Sequence, residues 1–352
     1  MKLAIINDIH FGVRGDSNIF LDHIKKFLDT SFFPAIKHYN IEKIVIPGDL
    51  VDRRKFINFN TLRRMRQDFL EPLSQMNIEI VISVGNHDVA LKNTNELNAL
   101  TEIVEAYKNF NVIVDPIEKD YGSCKALILP WICQDNYNRC LEMIDKTDAE
   151  ICFGHLELEG FEMNLGTFCH EGLDPNLFSK FHSVFTGHFH HKSSRMNIHY
   201  LGAPYQMTWA DYDDPRGFHI FDTESRILEF IQNPHEMFVK VVYSDRGKQL
   251  EEIMNVDFDT LKNSYVKIIV QDKENPYWFD LFVEEIEKRA IDVKIQDIIY
   301  EIRENDEDPI NCEADIQNLL NKFVMKGKFN CDKNKLYSTL VQLYNEALTL
   351  EV

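Results

Sequence analysis

No run of 18 apolar residues occurs anywhere in the 352-residue chain, so the sequence offers no membrane-spanning helix. The N-terminal Met1-Lys2-Leu3-Ala4-Ile5-Ile6 is briefly apolar, but Asp8 and His10 interrupt it before a signal-peptide core could form. It reads as the first strand of a protein that stays in the cytoplasm. No C-x-x-C pair exists among the seven cysteines (124, 133, 140, 152, 169, 312 and 331), and their number is odd. Reduced, mostly buried thiols are expected rather than a disulfide framework. Positive charge is scarce as well: 38 Lys and Arg against 57 Asp and Glu leave a formal net charge of −19. That excludes broad, non-specific attraction to polyanions. It leaves room for an enzyme whose metals and local basic residues hold phosphates. One basic cluster exists, at Arg53, Arg54, Lys55, Arg63, Arg64 and Arg66, although such a cluster is by itself usually a solvated helix face. Histidine is missing from the whole end of the chain: all 13 lie at or before His235.

The content that remains is ordinary for a globular protein, 44% hydrophobic, in a chain long enough for two or three domains. Residues 2–7, 44–47, 78–84 and 111–114 read as strands, and residues 19–39, 58–76 and 97–107 show helical spacing of apolar positions. This alternation predicts a largely parallel sheet with helices on its outer face. From residue 126 the pattern changes to short strands at 126–130, 150–153, 183–186, 199–201, 218–221 and 227–231, with few helices between them. A second sheet packed on the first is expected. The fold class is therefore α/β, a four-layer α-β-β-α sandwich over residues 1–234. A small α+β capping domain over 235–300 is expected to follow, with strands at 237–243 and 265–270 and a helix at 280–290. An acidic linker at 301–313 and a pair of amphipathic helices at 314–352 complete the plan. Leu319, Leu320, Phe323 and Val324 mark the first of these helices; Leu336, Leu340, Leu343 and Leu348 mark the second.

Five segments share one grammar, a polar metal-ligand type just past an apolar strand: Asp8-Ile9-His10, Gly48-Asp49, Gly85-Asn86-His87-Asp88, Gly154-His155 and Gly187-His188-Phe189-His190. Four carry a glycine immediately before the polar residue, which permits a tight exit turn. Carboxyl ends of strands are where sites form in open α/β sheets. Each piece alone is weak, since D-x-H or G-D is most often a turn and a lone His155 reads equally as a satisfied buried histidine. Together they supply two aspartates, one asparagine and at least four histidines. That mixture suits two borderline divalent ions such as Mn²⁺, Fe²⁺ or Zn²⁺, with one carboxylate shared between them. Such a pair suits phosphoryl chemistry.

The ordered set D-x-H, G-D-x-x-D, G-N-H-[DE], G-H, G-H-x-H across residues 8–190 resembles the calcineurin-like metallophosphoesterases. Asp8-Ile9-His10-Phe11-Gly12, Gly154-His155 through Gly160, and Tyr200-Leu201-Gly202-Ala203-Pro204 resemble the SbcD-type DNA repair and recombination exonuclease subunits in particular, and among them the recombination nuclease subunits of T-even-like phages. The resemblance implies that Asp8, His10 and His190 bind a first metal, that Asn86, His155 and His188 bind a second, and that Asp49 bridges. It implies that His87 acts on the transition state or leaving oxygen, with Asp88 orienting it. It further implies two Mn²⁺ ions (or Mg²⁺ or Fe²⁺) and DNA as substrate, cleaved by a 3′-to-5′ exonuclease with endonuclease activity as a further expectation. As partners it implies an SMC-like coiled-coil ATPase gripped by the C-terminal helices and a second copy met through the nuclease domain. One departure stands out: some relatives carry histidine three residues past the bridging aspartate, where this chain has Asp52. Gly48-Asp49-Leu50-Val51-Asp52-Arg53 also resembles the phosphatase form, so a protein or nucleotide phosphoesterase is the alternative reading. His191 falls outside the family's ligand set and reads as a polar neighbour.

Overall fold

The computed structural model describes residues 1–104, 106–164, 166–297, 324–325 and 333–350. Two compact units emerge, Met1–Met207 with Asp213–Met237, and Thr208–Tyr212 with Phe238–Val352.

The first unit is built on two six-stranded sheets. In the first sheet the order is Leu228–Gln232, Gly217–Asp222, Lys2–Ile5, Lys43–Pro47, Glu79–Ser83 and Phe110–Ile113. From Lys2–Ile5 onward the strands are parallel, and the two C-terminal strands join antiparallel. In the second sheet the order is Ser193–Arg195, Ile198–Tyr200, Ser183–Gly187, Ile151–His155, Lys125–Leu129 and Ile117–Asp120, parallel except at its two edges.

Period-two alternation explains the layers. Leu3, Ile5, Val45 and Val81 of the first sheet share one core with Ala126, Ile128, Ile151, Phe153 and Phe185 of the second, so the sheets pack face to face. The intervening Ile44, Ile46, Ile80 and Ile82 are equally buried and point the other way. On that side Phe27 and Phe32, from the helical run Asn18–Phe27, Leu28–Phe32 and Phe33–His38, set their rings against Phe218. On the far face of the second sheet, Cys140 and Ile144 of helix Tyr137–Lys146 pack with Leu127, Leu129, Cys152 and Val184. Strands buried on both faces are why these segments read as continuous apolar runs.

Three details differ from the sequence reading. The strands Gly217–Asp222 and Leu228–Gln232 belong to the first sheet, beside Lys2–Ile5, and not to the second. Apolar period marks a strand but not its neighbour. The helices expected at 19–39 and 58–76 each contain a wide turn, Leu28–Phe32 and Arg66–Leu70, where Phe33 and Glu71 donate to the carbonyl five residues back. Pro34 and Pro72 follow directly; a proline clashes with the carbonyl four residues before it, and one wider turn relieves this. The third difference is the helix expected at 280–290, below.

The second unit has a three-stranded parallel sheet, Phe238–Ser244, Tyr265–Asp272 and Asp292–Asp297. Helix Pro276–Glu287 buries Phe279, Phe282 and Ile286 against Val266, Ile268 and Val270. It starts earlier than the expected residue 280, because Asn275 caps the Trp278 amide and Pro276 takes the first helical position. Helix Lys333–Leu350 holds the second of the expected terminal pair. The linker at 301–313 lies outside the described residues, as does the first terminal helix apart from Val324 and Met325.

Candidate metal centre

Five parallel strands, Lys2–Ile5, Lys43–Pro47, Glu79–Ser83, Ile151–His155 and Ser183–Gly187, deliver their carboxyl ends to one place. The approach there is close enough to require glycine. A Cβ on Gly85 would lie 2.1 Å from Asp49 Oδ1, and one on Gly48 would lie 2.4 Å from His155 Nδ1. The exit turns also force left-handed backbone on residues that have side chains: Asp8 and His10 (φ 50°), Asp49 (φ 54°) and His188 (φ 91°). Such conformations are sparsely populated without glycine and are held only where the surroundings over-determine them.

Two groups of donor atoms result. In the first, Asp8, His10 and His190 bring one ligand atom each within 4.8 Å of the others, and the Nε2 atoms of His10 and His190 stand 3.0 Å apart. In the second, Asn86 Oδ1 lies 2.8 Å from His155 Nε2 and 3.0 Å from His188 Nδ1. Asp49 lies between the groups: its Oδ2 is 3.6 Å from His10 Nε2 and 3.3 Å from His155 Nε2, while its Oδ1 accepts the His87 amide at 2.8 Å. Asp8, Asp49 and His155 are almost wholly buried.

Tautomers follow from the partners. His155 Nδ1 faces the Pro47 carbonyl at 2.8 Å and must donate to it, which leaves the Nε2 lone pair directed at the centre. His87 Nδ1 likewise donates to the Asp52 carbonyl at 2.6 Å, so its Nε2 is left for another partner.

The spacing of these atoms also fits a metal. Two ligand atoms bound at right angles, each about 2.1 Å from one ion, are about 3.0 Å apart. The observed 2.8–3.0 Å separations therefore match the edges of a coordination shell. Among the described residues the buried Nδ1 of His10 has no hydrogen-bond partner, with the Asp52 carboxylate 3.4 Å away.

Electrostatics point the same way. Burial pulls His10 down, but Asp52, Asp49 and Asp8 outweigh it and carry it up to about 9. Burial also opposes the charge on His155, and Asp49 and Asp8 carry that ring up to about 9 too. Burial alone would lift Asp49, yet His155, His10 and His87 hold it well below the ordinary carboxylate range. Burial raises Asp8 to about 6, with His155 pulling back. Burial and the neighbouring His155 push His188 down to about 3; burial and His10 push His190 well below its ordinary value. The raised His10 and His155 mark a centre short of positive charge, which divalent ions would supply while displacing protons.

Asp88, expected to orient His87, has backbone amides as its hydrogen-bond partners. Its carboxylate is wholly buried and accepts four backbone amides, Asp49 and Gly85 at 2.8 Å, Leu50 at 3.0 Å and Val51 at 3.2 Å. It ties the Gly48-Asp49 loop to the Gly85-Asn86 loop, and the Asp52 carbonyl holds the His87 ring instead. A side chain one residue along a tight turn leaves from the opposite side, so sequence adjacency misleads here. Asp52 thus meets both His87, through its carbonyl, and His10, through its carboxylate. His191 does not join the donor atoms; its Nδ1 pairs with Asp214 at 2.8 Å.

Three residues were not singled out from the sequence. Asn7, buried beside Asp8, donates to the Asp8 carboxylate and to the Gly202 carbonyl at 3.2 Å. Trp131 sets its ring 5.2 Å from that of His188 and 5.9 Å from that of His155. Arg216 donates to the His190 carbonyl. Asn7, two residues past the strand Lys2–Ile5, and Trp131, two past Lys125–Leu129, both stand at strand ends; Arg216 precedes its strand.

Residues 1–192 match the family described as calcineurin-like phosphoesterase. Over 354 aligned residues, 99% of each chain, the protein is 31% identical to exonuclease subunit 1 of Enterobacteria phage T4. It is 25% identical over 312 residues to the SbcD subunit of the SbcCD nuclease of Staphylococcus saprophyticus, covering 80% of this chain and 78% of that one. A family match over more than half of the chain, on two face-packed sheets whose strand ends gather Asp, Asn and His, places this protein in the calcineurin-like phosphoesterase family.

Proposed function

We propose that the chain is the nuclease subunit of a DNA recombination and repair complex, a Mn²⁺-dependent phosphodiesterase that degrades DNA from 3′ to 5′ and also cuts internally. The observation that carries this reading is the convergence of Asp8, His10, Asp49, Asn86, His155, His188 and His190, in a chain whose relatives are named exonuclease and nuclease subunits. Asp8, His10 and His190 would hold one Mn²⁺, Asn86, His155 and His188 the other, with Asp49 between. Bound there, the ions supply Lewis acidity toward the phosphoryl oxygens and toward an attacking water. The protein's own groups do the rest. The His87 amide and the Asp88 clamp keep the Asp49 carboxylate at a fixed height between the two donor groups. His87, with Nδ1–H pinned on Asp52, presents Nε2 to the substrate, where it stabilises charge on the phosphoryl group or protonates the leaving oxygen. Burial lowers the His87 pKa, so the ring must take up a second proton, at Nε2, before it can play either part.

The basic loop at Arg53, Arg54 and Lys55 follows Asp52 directly and offers phosphate contacts on an otherwise acidic chain. The exposed Phe56 and Phe59, at the start of helix Phe59–Met65, offer an apolar face to a second copy. The second unit would touch DNA, and residues 314–352 would grip an SMC-like coiled-coil ATPase. Action on DNA in the cytoplasm belongs to the same proposal. Among the described residues no helix is long and apolar enough to cross a membrane.

The test is Mn²⁺-dependent digestion of end-labelled linear duplex DNA, with Asp49→Ala as control. Degradation from the 3′ ends, lost in the variant, is expected. No digestion alongside brisk hydrolysis of a small aryl phosphodiester would refute the DNA assignment for the isolated chain.

A further inference from the structure

His190 is the most exacting ligand to place. It follows His188 on a short segment outside the strands, and its backbone carbonyl is hydrogen-bonded twice. That carbonyl accepts the Ala203 amide at 3.0 Å and Nη1 of Arg216. A Cβ on Gly202, whose φ is 75°, would come within 2.9 Å of it. The other arm of the guanidinium, Nη2, pairs at 2.8 Å with Asp214 Oδ2, and the same oxygen receives His191 Nδ1 at 2.8 Å. The side chains of Asp214 and Arg216 are each only 4% exposed. A buried ion pair is costly to form and contributes little net stability. A planar two-armed donor that holds a carbonyl and a carboxylate together is, however, a rigid spacer.

We infer that Arg216, held by Asp214, is a positioning residue that fixes the His190-His191 segment so that His190 can complete the first metal site. Arg216 acts on the site through the His190 carbonyl. Asp214 grips both ends of the unit, Arg216 on one side and His191 on the other. This gives His191, which is no ligand, a defined purpose. In the second donor group, His155 is set by the Pro47 carbonyl, outside this clamp. The inference therefore predicts an asymmetric defect. It rests on the two-metal reading proposed above.

The experiment is Mn²⁺ titration of the full-length, EDTA-stripped protein, with bound metal counted directly and the pair followed by low-temperature EPR. It is run on wild type, Arg216→Lys and Asp214→Asn. Lysine keeps the charge beside Asp214 but lacks the planar fork that sets carbonyl and carboxylate at a fixed spacing, so the fold survives while the rigid spacer is lost. Both variants are expected to keep one site at wild-type affinity and to weaken the other about ten- to hundred-fold. At one equivalent per chain beyond the tight site, the exchange-coupled signal of wild type is replaced by uncoupled Mn²⁺. Two sites of wild-type affinity in both variants overturn the inference. Equal weakening of both sites, in step with a lowered melting temperature, also overturns it, because that is what a merely structural ion pair would do. A wild-type protein that binds fewer than two ions overturns the two-metal reading itself, and the inference with it.

Discussion

Replacing Asp88 by asparagine separates two roles that a sequence motif cannot. Asp88 is wholly buried, and its two oxygens each accept two backbone amides: Oδ2 takes Asp49 and Gly85, Oδ1 takes Leu50 and Val51. Burial and the charge on Asp49 push the Asp88 carboxyl up to about 7, against the pull of the Gly85 and Val51 amides. An asparagine amide has one oxygen and one NH₂. Whichever way it is turned, the NH₂ faces two backbone N–H groups and leaves both unsatisfied. An orphaned buried donor costs about 1–3 kcal/mol, so Asp88→Asn should cost about 2–6 kcal/mol. That is a large share of the roughly 5–15 kcal/mol by which a domain is stable. The two loops it ties carry Asp49 and Asn86, so metal affinity should fall together with stability. The assay is urea unfolding followed by intrinsic fluorescence, in EDTA, with Mn²⁺ uptake measured on separate, EDTA-free samples of the same protein. A lower midpoint and weaker uptake are expected. An unchanged midpoint with only kcat reduced would refute the clamp and restore the orienting role toward His87.

Other outcomes follow from the same geometry. His87→Ala should keep both Mn²⁺ ions by direct metal count and lose about 10²- to 10⁴-fold in cleavage rate; wild-type cleavage would remove His87 from the chemistry. Gly85→Ala, whose new Cβ would sit 2.1 Å from Asp49 Oδ1 and 2.5 Å from its backbone nitrogen, should abolish Mn²⁺ binding by the folded fraction, and normal uptake would show that the Asp49 loop can give way. Burial depresses His23 to about 4 and His219 to about 3, so both are neutral in the folded protein at pH 7. Their stabilising contribution is complete above the unfolded value near 6.5 and is lost as pH falls from there toward 4 and then 3, by about 1.4 kcal/mol per pH unit for each group. Urea midpoints in EDTA should drop between pH 7 and 5, and less steeply in His23→Leu; a flat profile contradicts this. Deleting residues 314–352 should leave Mn²⁺ binding intact and abolish capture of the ATPase partner in a pull-down; a truncated chain that still holds the ATPase would relocate the interface.

What the sequence alone determined is the kind of site and the architecture that carries it. Ligand-type residues must follow apolar strands to be presented at a sheet's edge, and this local requirement leaves a local trace, five times over, at Asp8, Asp49, Asn86, His155 and His188. Strands buried on both faces leave an equally local trace as short apolar runs. What tertiary structure decided is every pairing between segments remote in sequence. Nothing near Gly217 says that its strand lies against Lys2–Ile5. Nothing near Asp88 says that it serves the amides of the Asp49 loop 37–39 positions away. The Asp52 carbonyl on His87 and the Arg216 guanidinium on His190 are likewise long-range hydrogen bonds. Such bonds depend on where the two sheets bring the backbone, and side-chain periodicity carries no record of that.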